Sequence, residues 1–167
     1  MKPTAREIIE SISWALDHRV EPQVEEKWAA SSLRSIRCLL QHLAVRVEHE
    51  GQMLVEDNAD LRDVLGQVVG NVGGVGTWRD IHSEIEGLLE REWRPPAAYP
   101  TVASLNEENE ALQTGLDHVL VRLYRHGDGL DPATADALRA ELDECLIRRV
   151  GREQPMFMPA FSENPLF

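Results

Sequence analysis

Apolar residues recur every three to four positions along most of this chain. The longest such pattern begins after Lys27 and keeps a heptad register for several turns, continuing through Leu61, Val64 and Val68. Its first apolar positions are Ala29, Leu33, Ile36, Leu40, Leu43, Val47 and Leu54. No stretch shows the sustained alternation of apolar and polar residues that a half-buried strand requires. The pattern therefore predicts an all-α protein.

Capping residues mark the starts of several predicted helices. Thr4 and Glu7 have the spacing of a capping box, in which each side chain satisfies a backbone N–H group of the other residue. Ser104 and Glu107 repeat this spacing, with Thr101 in a possible preceding turn. Proline suits the first turn of a helix because its missing N–H would have no partner there. A last helix is therefore expected to begin at Asp131–Pro132.

Other residues predict where helices end. Glu21–Pro22 separates the first helix from the second, and the turn-prone pair Asp57–Asn58 predicts a break near Asp57. Gly70–Gly76 is too rich in glycine to hold a helix, and Thr77 should begin the next one, ending near Trp93. Gly151 should end the last helix.

These boundaries predict an antiparallel helical bundle of five to seven helices over residues 1–154. The length of 167 residues fits one such domain. Residues 155–167 contain several prolines and predict an extended apolar C-terminal tail rather than a helix. Three roles for the tail stay open: docking on its own bundle, exchange between subunits of a homodimer, or a disordered segment that can contact another protein.

An internal similarity links two of the predicted helices. Each matching pair is separated by 51 positions, and an acidic residue precedes the asparagine in both copies. The matching residues are Leu54, Asn58, Leu61, Leu65 and Val68 with Leu105, Asn109, Leu112, Leu116 and Val119. A duplicated helical hairpin would give this pattern. Chance agreement between two leucine-rich amphipathic helices is the alternative.

Charge and composition narrow the class of partner. The net charge of -12 disfavours binding to nucleic acid or to an anionic membrane surface. No apolar run approaches the roughly 18 residues that a transmembrane helix needs, and the N-terminus lacks the apolar core of a signal peptide. We therefore expect a cytoplasmic protein. The excess of arginine over lysine suggests a GC-rich bacterial genome.

Metal binding is the first chemistry to consider, because helical bundles often hold metal ions. None of the six histidines has the glutamate three residues earlier that di-iron bundles use. Weak candidates are His42 with His49, two helical turns apart, and His82 with Glu86, one turn apart. Solvated or hydrogen-bonded histidines on polar faces are the simpler interpretation. No cofactor is predicted.

The glycine-rich stretch invites comparison with a phosphate-binding loop, because Gly70–Gly76 precedes a helix start at Thr77. It lacks a preceding strand and the Gly-Lys-Ser or Gly-Lys-Thr sequence of such loops. A flexible connection between helices is the better interpretation.

Aromatic and sulfur-containing side chains are the candidates for a partner surface or a pocket. Trp14 lies off the apolar stripe of its helix, and aromatic residues are enriched in binding sites. The complete set is Trp14, Trp28, Met156, Phe157, Met158 and Phe161. Packing against a second helix would explain Trp14 equally well.

The N-terminal half resembles a small uncharacterised bacterial family of all-α proteins. The resemblance rests on the capped helix Pro3–Ile9, the break at Val20–Pro22, and the long helix Leu33–Val47 leading into Leu54–Asn58. That family is encoded beside acyl-CoA dehydrogenases and aminoglycoside-phosphotransferase-like kinases. The resemblance implies an accessory role near acyl-CoA metabolism and assigns no site residues.

These observations favour a non-enzymatic interaction or accessory protein, homodimeric or bound to another protein, over an enzyme. No catalytic constellation is recognisable from spacing. The first alternative is a binder of, or enzyme for, an acyl or aromatic small molecule, with a pocket between bundle helices. The second is a metal-binding bundle.

Overall fold

The computed structural model describes residues 2–73, 75–93, 99–125 and 129–162. These residues form five α-helices and no strand, so the all-α prediction is confirmed, at the low end of the expected number of helices. The α-helices are α1 (Ala5–Ala15), α2 (Lys27–Val72), α3 (Arg79–Glu90), α4 (Val102–Arg125) and α5 (Pro132–Ser162). A π-helical turn, Leu16–Val20, and a 3₁₀ turn, Glu21–Gln23, follow α1; a second 3₁₀ turn, Gly76–Trp78, precedes α3.

The predicted capping box of α1 is confirmed. The backbone N–H of Glu7 donates to Thr4 Oγ1 at 3.2 Å, and the backbone N–H of Thr4 donates to Glu7 Oε2 at 2.7 Å. The bond from the Thr4 backbone, followed by that from Lys2, lowers the pKa of Glu7. The carboxylate is thereby kept charged at the positive end of the helix dipole.

The start of α4 differs from the prediction. Thr101, not Ser104, caps the helix, because Thr101 Oγ1 accepts a hydrogen bond of 3.1 Å from the backbone N–H of Ser104. The helix therefore begins at Val102. The start of α5 agrees with the prediction, since Asp131 Oδ1 accepts a 3.1 Å hydrogen bond from the backbone N–H of Thr134.

Helices α2 and α5 are longer than expected. Helix α2 passes through Asp57–Asn58 without a break, because both side chains are buried in contacts with other helices instead of competing for their own backbone. Helix α5 passes Gly151 and Pro155 and ends at Ser162. Burial of Met156 offsets the free-energy cost of the adjacent proline in a helix. The prediction of an extended tail is therefore wrong for residues 155–162. Residues 163–167 lie outside the described part.

The chain divides into two compact units. The terminal unit comprises Met1–Gly51 and Arg152–Phe167, and the central unit comprises Gln52–Gly151. Helices α2 and α5 each contribute residues to both units.

The central unit is an up-down-up-down four-helix bundle. Helices α2 and α4 run parallel, since Asn58 Nδ2 donates to the backbone oxygen of Leu105 and, further along both helices, a Cβ atom at Gly115 would lie 3.8 Å from Leu65 Cδ1. Helix α5 runs antiparallel to α2, since Arg149 pairs with Asp57 while Cys145 Sγ lies 3.9 Å from Asp60. Helix α3 runs antiparallel to α4, since Arg91 pairs with Glu107 while Glu84 pairs with His118. The fully closed core contains Leu61, Val64, Leu65, Val68, Val72, Trp78, Ile81, Ile85, Leu112, Leu116, Val119, Leu123, Ala135, Leu138, Leu142 and Cys145.

The terminal unit has a much smaller core. Helix α1 runs antiparallel to the first half of α2, since Arg6 pairs with Glu48 and Asp17 pairs with Arg37. The buried apolar side chains among its described residues are Ile9, Leu33 and Met156. We call this antiparallel pair of helical segments the terminal hairpin. Among the described residues, no helix is long and apolar enough to cross a membrane.

Candidate functional site

The terminal hairpin carries an apolar face that the fold leaves half exposed. Its members have 45 to 67 % of their surface exposed, and their spacing of three or four residues places them on one stripe of each helix. We call this surface the hairpin face. It consists of Ile8, Ile12, Ile36, Leu39, Leu43 and Val47. Leu61, Val64 and Val68, in the same heptad register of α2, are at most 1 % exposed. The same type of stripe is therefore buried in the central unit and open in the terminal unit.

The opposite side of the hairpin forms a groove of about 420 Å³. Both helices and the π-helical turn line it, and none of the hairpin-face residues does. We call it the Trp14 groove. Its lining residues are Arg6, Ile9, Glu10, Ser13, Trp14, Asp17, His18, Leu40, Gln41, Ala44 and Val45. The volume lies within the range of small-molecule sites.

An aromatic pair forms one wall of this groove. The rings of Trp14 and His18 stack with centroids 4.7 Å apart and an interplanar angle of 15°. His18 Nδ1 also lies 2.9 Å from the backbone oxygen of Trp14, which fixes the imidazole against the indole. The Arg19 guanidinium lies 5.8 Å from the indole centroid. Because Trp14 stays 52 % exposed, much of the indole remains open to a ligand.

Ion pairs lie along the hairpin beside the groove. Arg6 pairs with Glu10 at 2.8 Å and with Glu48, and the bond to Glu10 is the main cause of the raised pKa of Arg6. Arg37 Nε lies 2.9 Å from Asp17 Oδ1, and Arg37 NH1 lies 3.2 Å from Glu21 Oε2. In each group one arginine is shared between two carboxylates.

The carboxylates that line the groove, Glu10 and Asp17, are thus both ion-paired with arginine, and Arg6 itself also lines the groove. The Asp17 Oδ1 atom is buried, and the short approach of Arg37 Nε does not have hydrogen-bond geometry. Its neighbour is the Arg37 guanidinium, with which it forms an ion pair.

The other predicted partner residues fall in different environments. Trp28, at the second position of α2, is 77 % exposed. Met156 is buried, and Phe157 meets the ring of His42 edge-on at 5.9 Å. Met158 and Phe161 belong to α5, but their side chains lie outside the described part of the structure.

The metal candidates do not converge. His82 Nδ1 lies 3.4 Å from Glu86 Oε2, as their spacing predicts, while His49 lies 3.9 Å from its neighbour Glu48. Within the described residues, no group of three or more histidine, cysteine, aspartate or glutamate side chains has an arrangement that could hold a metal ion. The sequence-predicted pairs therefore do not form a metal site in the described part.

The glycine-rich connection is shorter than predicted, because α2 continues to Val72. Gly73, Gly76, Arg79 and His82 line a cavity of about 110 Å³ beside it. A Cβ atom at Gly73 would lie 3.1 Å from His82 Nε2, so the glycine permits close packing of the imidazole. Gly74 lies outside the described residues.

A buried polar cluster joins α2 to α4 and α5 in the central unit. Asn109 Nδ2 donates to Asn58 Oδ1 at 2.7 Å and to Asp57 Oδ2 at 2.8 Å. Arg62 Nε donates to Glu108 Oε1 at 2.7 Å, and Arg149 Nε lies 3.5 Å from Asp57 Oδ2. These residues were not predicted as a cluster. The available signal was the acidic-asparagine pair in both copies of the internal similarity. Each buried carboxylate meets an arginine, which gives the cluster a structural role.

Comparisons with protein-family models, with curated proteins and with solved structures give no significant match.

Proposed function

We propose that this protein is a non-enzymatic helical interaction protein that acts as a homodimer, with the hairpin face as the interface between the two copies. The observation that carries the proposal is the contrast between the two units. The apolar stripes of the central unit are buried in their own bundle, whereas those of the terminal hairpin remain about half exposed. Contiguous exposed apolar surface of this kind marks association sites.

A second copy of the chain suits this face for reasons of geometry. Two antiparallel hairpins that pack through their apolar stripes form a four-helix bundle, the arrangement the central unit already adopts within one chain. A two-fold axis through the interface would bury the same side chains from both copies. Leu43 and Ile12 would lie near the middle of that interface.

The distribution of charge supports the same pairing. The α2 part of the terminal unit, residues 27–51, contains four basic and two acidic residues, whereas residues 5–23 contain four acidic and two basic residues. An antiparallel arrangement that places α1 of one copy beside α2 of the other brings opposite charges together. This complementarity favours a second copy over a partner of uniform charge.

Native mass spectrometry and sedimentation test the proposal. We expect a dimer for the wild type and a monomer for Leu43→Glu, because a buried unpaired carboxylate at the interface is costly. Ile147→Glu is the matched control: Ile147 is an exposed apolar residue of α5 in the central unit, and its replacement should leave the dimer intact. A wild type that stays monomeric at tens of micromolar would overturn the dimer proposal.

A second candidate function is small-molecule binding, which the Trp14 groove favours. The accessory role near acyl-CoA metabolism, a bacterial origin and a cytoplasmic location remain proposals from the sequence. A protein partner other than a second copy would appear in native mass spectrometry as mass beyond that of the chain or its dimer. If that partner binds the hairpin face, Leu43→Glu should abolish its binding.

A further inference from the structure

We infer that the buried Asn58–Asn109 pair fixes the register of α4 on α2, by excluding other alignments that the apolar stripes of the two helices allow. Both asparagines belong to the central unit, whereas the hairpin face belongs to the terminal unit. The inference therefore goes beyond the dimer proposal and does not depend on it.

The apolar stripes of α2 and α4 do not define a single register by themselves. Both repeat at heptad spacing, so apolar positions match again when α4 is displaced by seven residues toward the start of α2. Leu112 would then face Leu54 instead of Leu61, and Leu123 would face Leu65. The displacement is about 10 Å along the helix axis. Apolar packing alone thus permits more than one alignment.

The two asparagines distinguish the observed register from the displaced ones. Asn109 Nδ2 donates to Asn58 Oδ1 at 2.7 Å, and Asn58 Nδ2 donates to the backbone oxygen of Leu105 at 3.0 Å. A displacement of seven residues would place Asn58 against Leu116, or in the opposite direction Asn109 against Leu65. The asparagines are only 4 and 6 % exposed, so an amide that loses these partners would gain no water in exchange.

Other polar groups at the same level of the bundle depend on the same alignment. Asn109 Nδ2 also donates to Asp57 Oδ2 at 2.8 Å, and Arg62 Nε donates to Glu108 Oε1 at 2.7 Å. Both carboxylates are buried. Hydrogen bonds have strict geometry, whereas apolar side chains pack against one another in several arrangements. In parallel coiled coils, a buried asparagine specifies the register in this way at a cost in stability.

The test replaces both asparagines by leucine in the full-length protein. Asn58→Leu/Asn109→Leu removes the hydrogen bonds between the helices but keeps an apolar residue of similar volume at each position. We expect the helix content and a cooperative thermal transition to be retained, because neither amide is left without a partner. The single register should be lost. Methyl NMR of leucine-labelled protein should show one set of signals for the wild type and at least two for the variant.

Nuclear Overhauser contacts of Leu112 identify the alignment. In the wild type they should reach Leu61, and in the variant a second set should reach Leu54. Asp63→Leu/Thr114→Leu is the matched control, because it adds two leucines at exposed positions of the same helices and should keep one set of signals.

Two outcomes would overturn the inference. A single set of signals in the asparagine-to-leucine variant, with Leu112 against Leu61 alone, would show that apolar packing sets the register, including the fit of Gly115 against Ile85 and Leu88. Loss of the cooperative transition would show that the asparagine pair supplies stability rather than alignment. The dimer test uses variants of other residues, so neither outcome affects it.

Discussion

Asn109 donates a hydrogen bond of 2.7 Å to Asn58, its counterpart 51 positions earlier in the chain. The two residues therefore meet across the centre of the bundle, on the parallel helices α4 and α2. Each follows an acidic residue, Glu108 or Asp57, that is also buried. Equivalent positions of the internal similarity are thus neighbours in space.

The partner helices repeat this relationship. The apolar positions of α3 and α5 have the same spacing, each pair being 57 positions apart. They are Trp78, directly before α3, with Ile81, Ile85 and Leu88 in α3, and Ala135, Leu138, Leu142 and Cys145 in α5. The connections 73–78 and 126–131 are equal in length, so the six extra residues lie in the helices themselves: α4 extends two residues further than α2, and α5 begins four residues earlier than α3. A matched spacing in both pairs of helices is what duplication of a helical hairpin predicts.

Removal of one amide from this cluster should destabilise the protein. In Asn109→Ala, the oxygens of Asn58 and Asp57 lose a donor while they stay buried. We expect a loss of about 1–3 kcal/mol in the free energy of unfolding, measured by urea denaturation. Asn71→Ala is the control, because the Asn71 side chain bonds to the Gln67 carbonyl at an exposed position. Equal effects of the two substitutions would contradict a special role for the buried pair.

A side chain at Gly115 would force the ends of two neighbouring side chains to move. A Cβ atom there would lie 2.8 Å from Ile85 Cδ1 and 2.9 Å from Leu88 Cδ1, where α4 packs against α3. Gly115→Ala should therefore cost about 1–3 kcal/mol through overpacking, despite the higher helix propensity of alanine.

Gly66→Ala is the matched control for this substitution. A Cβ atom at Gly66, within α2, would meet nothing within 4 Å. Propensity alone should stabilise this variant by about 0.5–1 kcal/mol. The two Gly→Ala changes are expected to shift the thermal midpoint in opposite directions. A shift of the same sign in both would show that the α3–α4 contact is looser than described.

The periodicity of apolar residues predicted the helices correctly, because in the central unit these residues pack into the core. It did not predict that Asp57–Asn58 lies inside a helix, since the pair is turn-prone locally and its tertiary contacts, with Leu105, Asn109 and Arg149 among them, override that preference. The prediction for the proline-rich end of α5 was wrong for a similar reason, because the burial of Met156 depends on tertiary packing.

The candidate site was predicted in part. Trp14 was singled out because it lies off the apolar stripe, and the structure places it in the wall of a groove. Its partners could not be predicted, because they depend on how α1 aligns with α2. The pairing of Asp17 with Arg37 spans twenty residues and a turn whose geometry the sequence does not define.

The cap of α5 should make stability depend on pH. The hydrogen bond from Thr134 Oγ1, followed by that from its backbone N–H, lowers the pKa of Asp131 below its ordinary value. A carboxylate with a lowered folded-state pKa contributes stability above its unfolded-state pKa and loses that contribution as the pH falls through the folded-state pKa.

Asp131→Asn keeps an acceptor for the cap but removes this titration. Thermal midpoints at pH 7, 5 and 3 should therefore fall less steeply below pH 4 for the variant than for the wild type. Asp117→Asn, in the middle of α4, provides a control for the loss of one carboxylate. Parallel curves for Asp131→Asn and the wild type would show that the cap contributes nothing to the acid sensitivity.

Truncation after Gln154 should separate the roles considered for the C-terminal segment. It removes the buried Met156 and the contact of Phe157 with His42, both within the terminal unit. Loss of a buried methionine side chain costs about 2–5 kcal/mol, so hydrogen exchange should show faster opening of α1 with little change in the core of the central unit.

Met156→Ala in the full chain should reproduce most of this effect if packing within the chain is the cause. A truncated protein that becomes monomeric while Met156→Ala stays dimeric would instead show that the segment reaches the second copy. Unchanged hydrogen exchange in both variants would show that the C-terminal segment does not stabilise the fold, which leaves contact with another protein as its role.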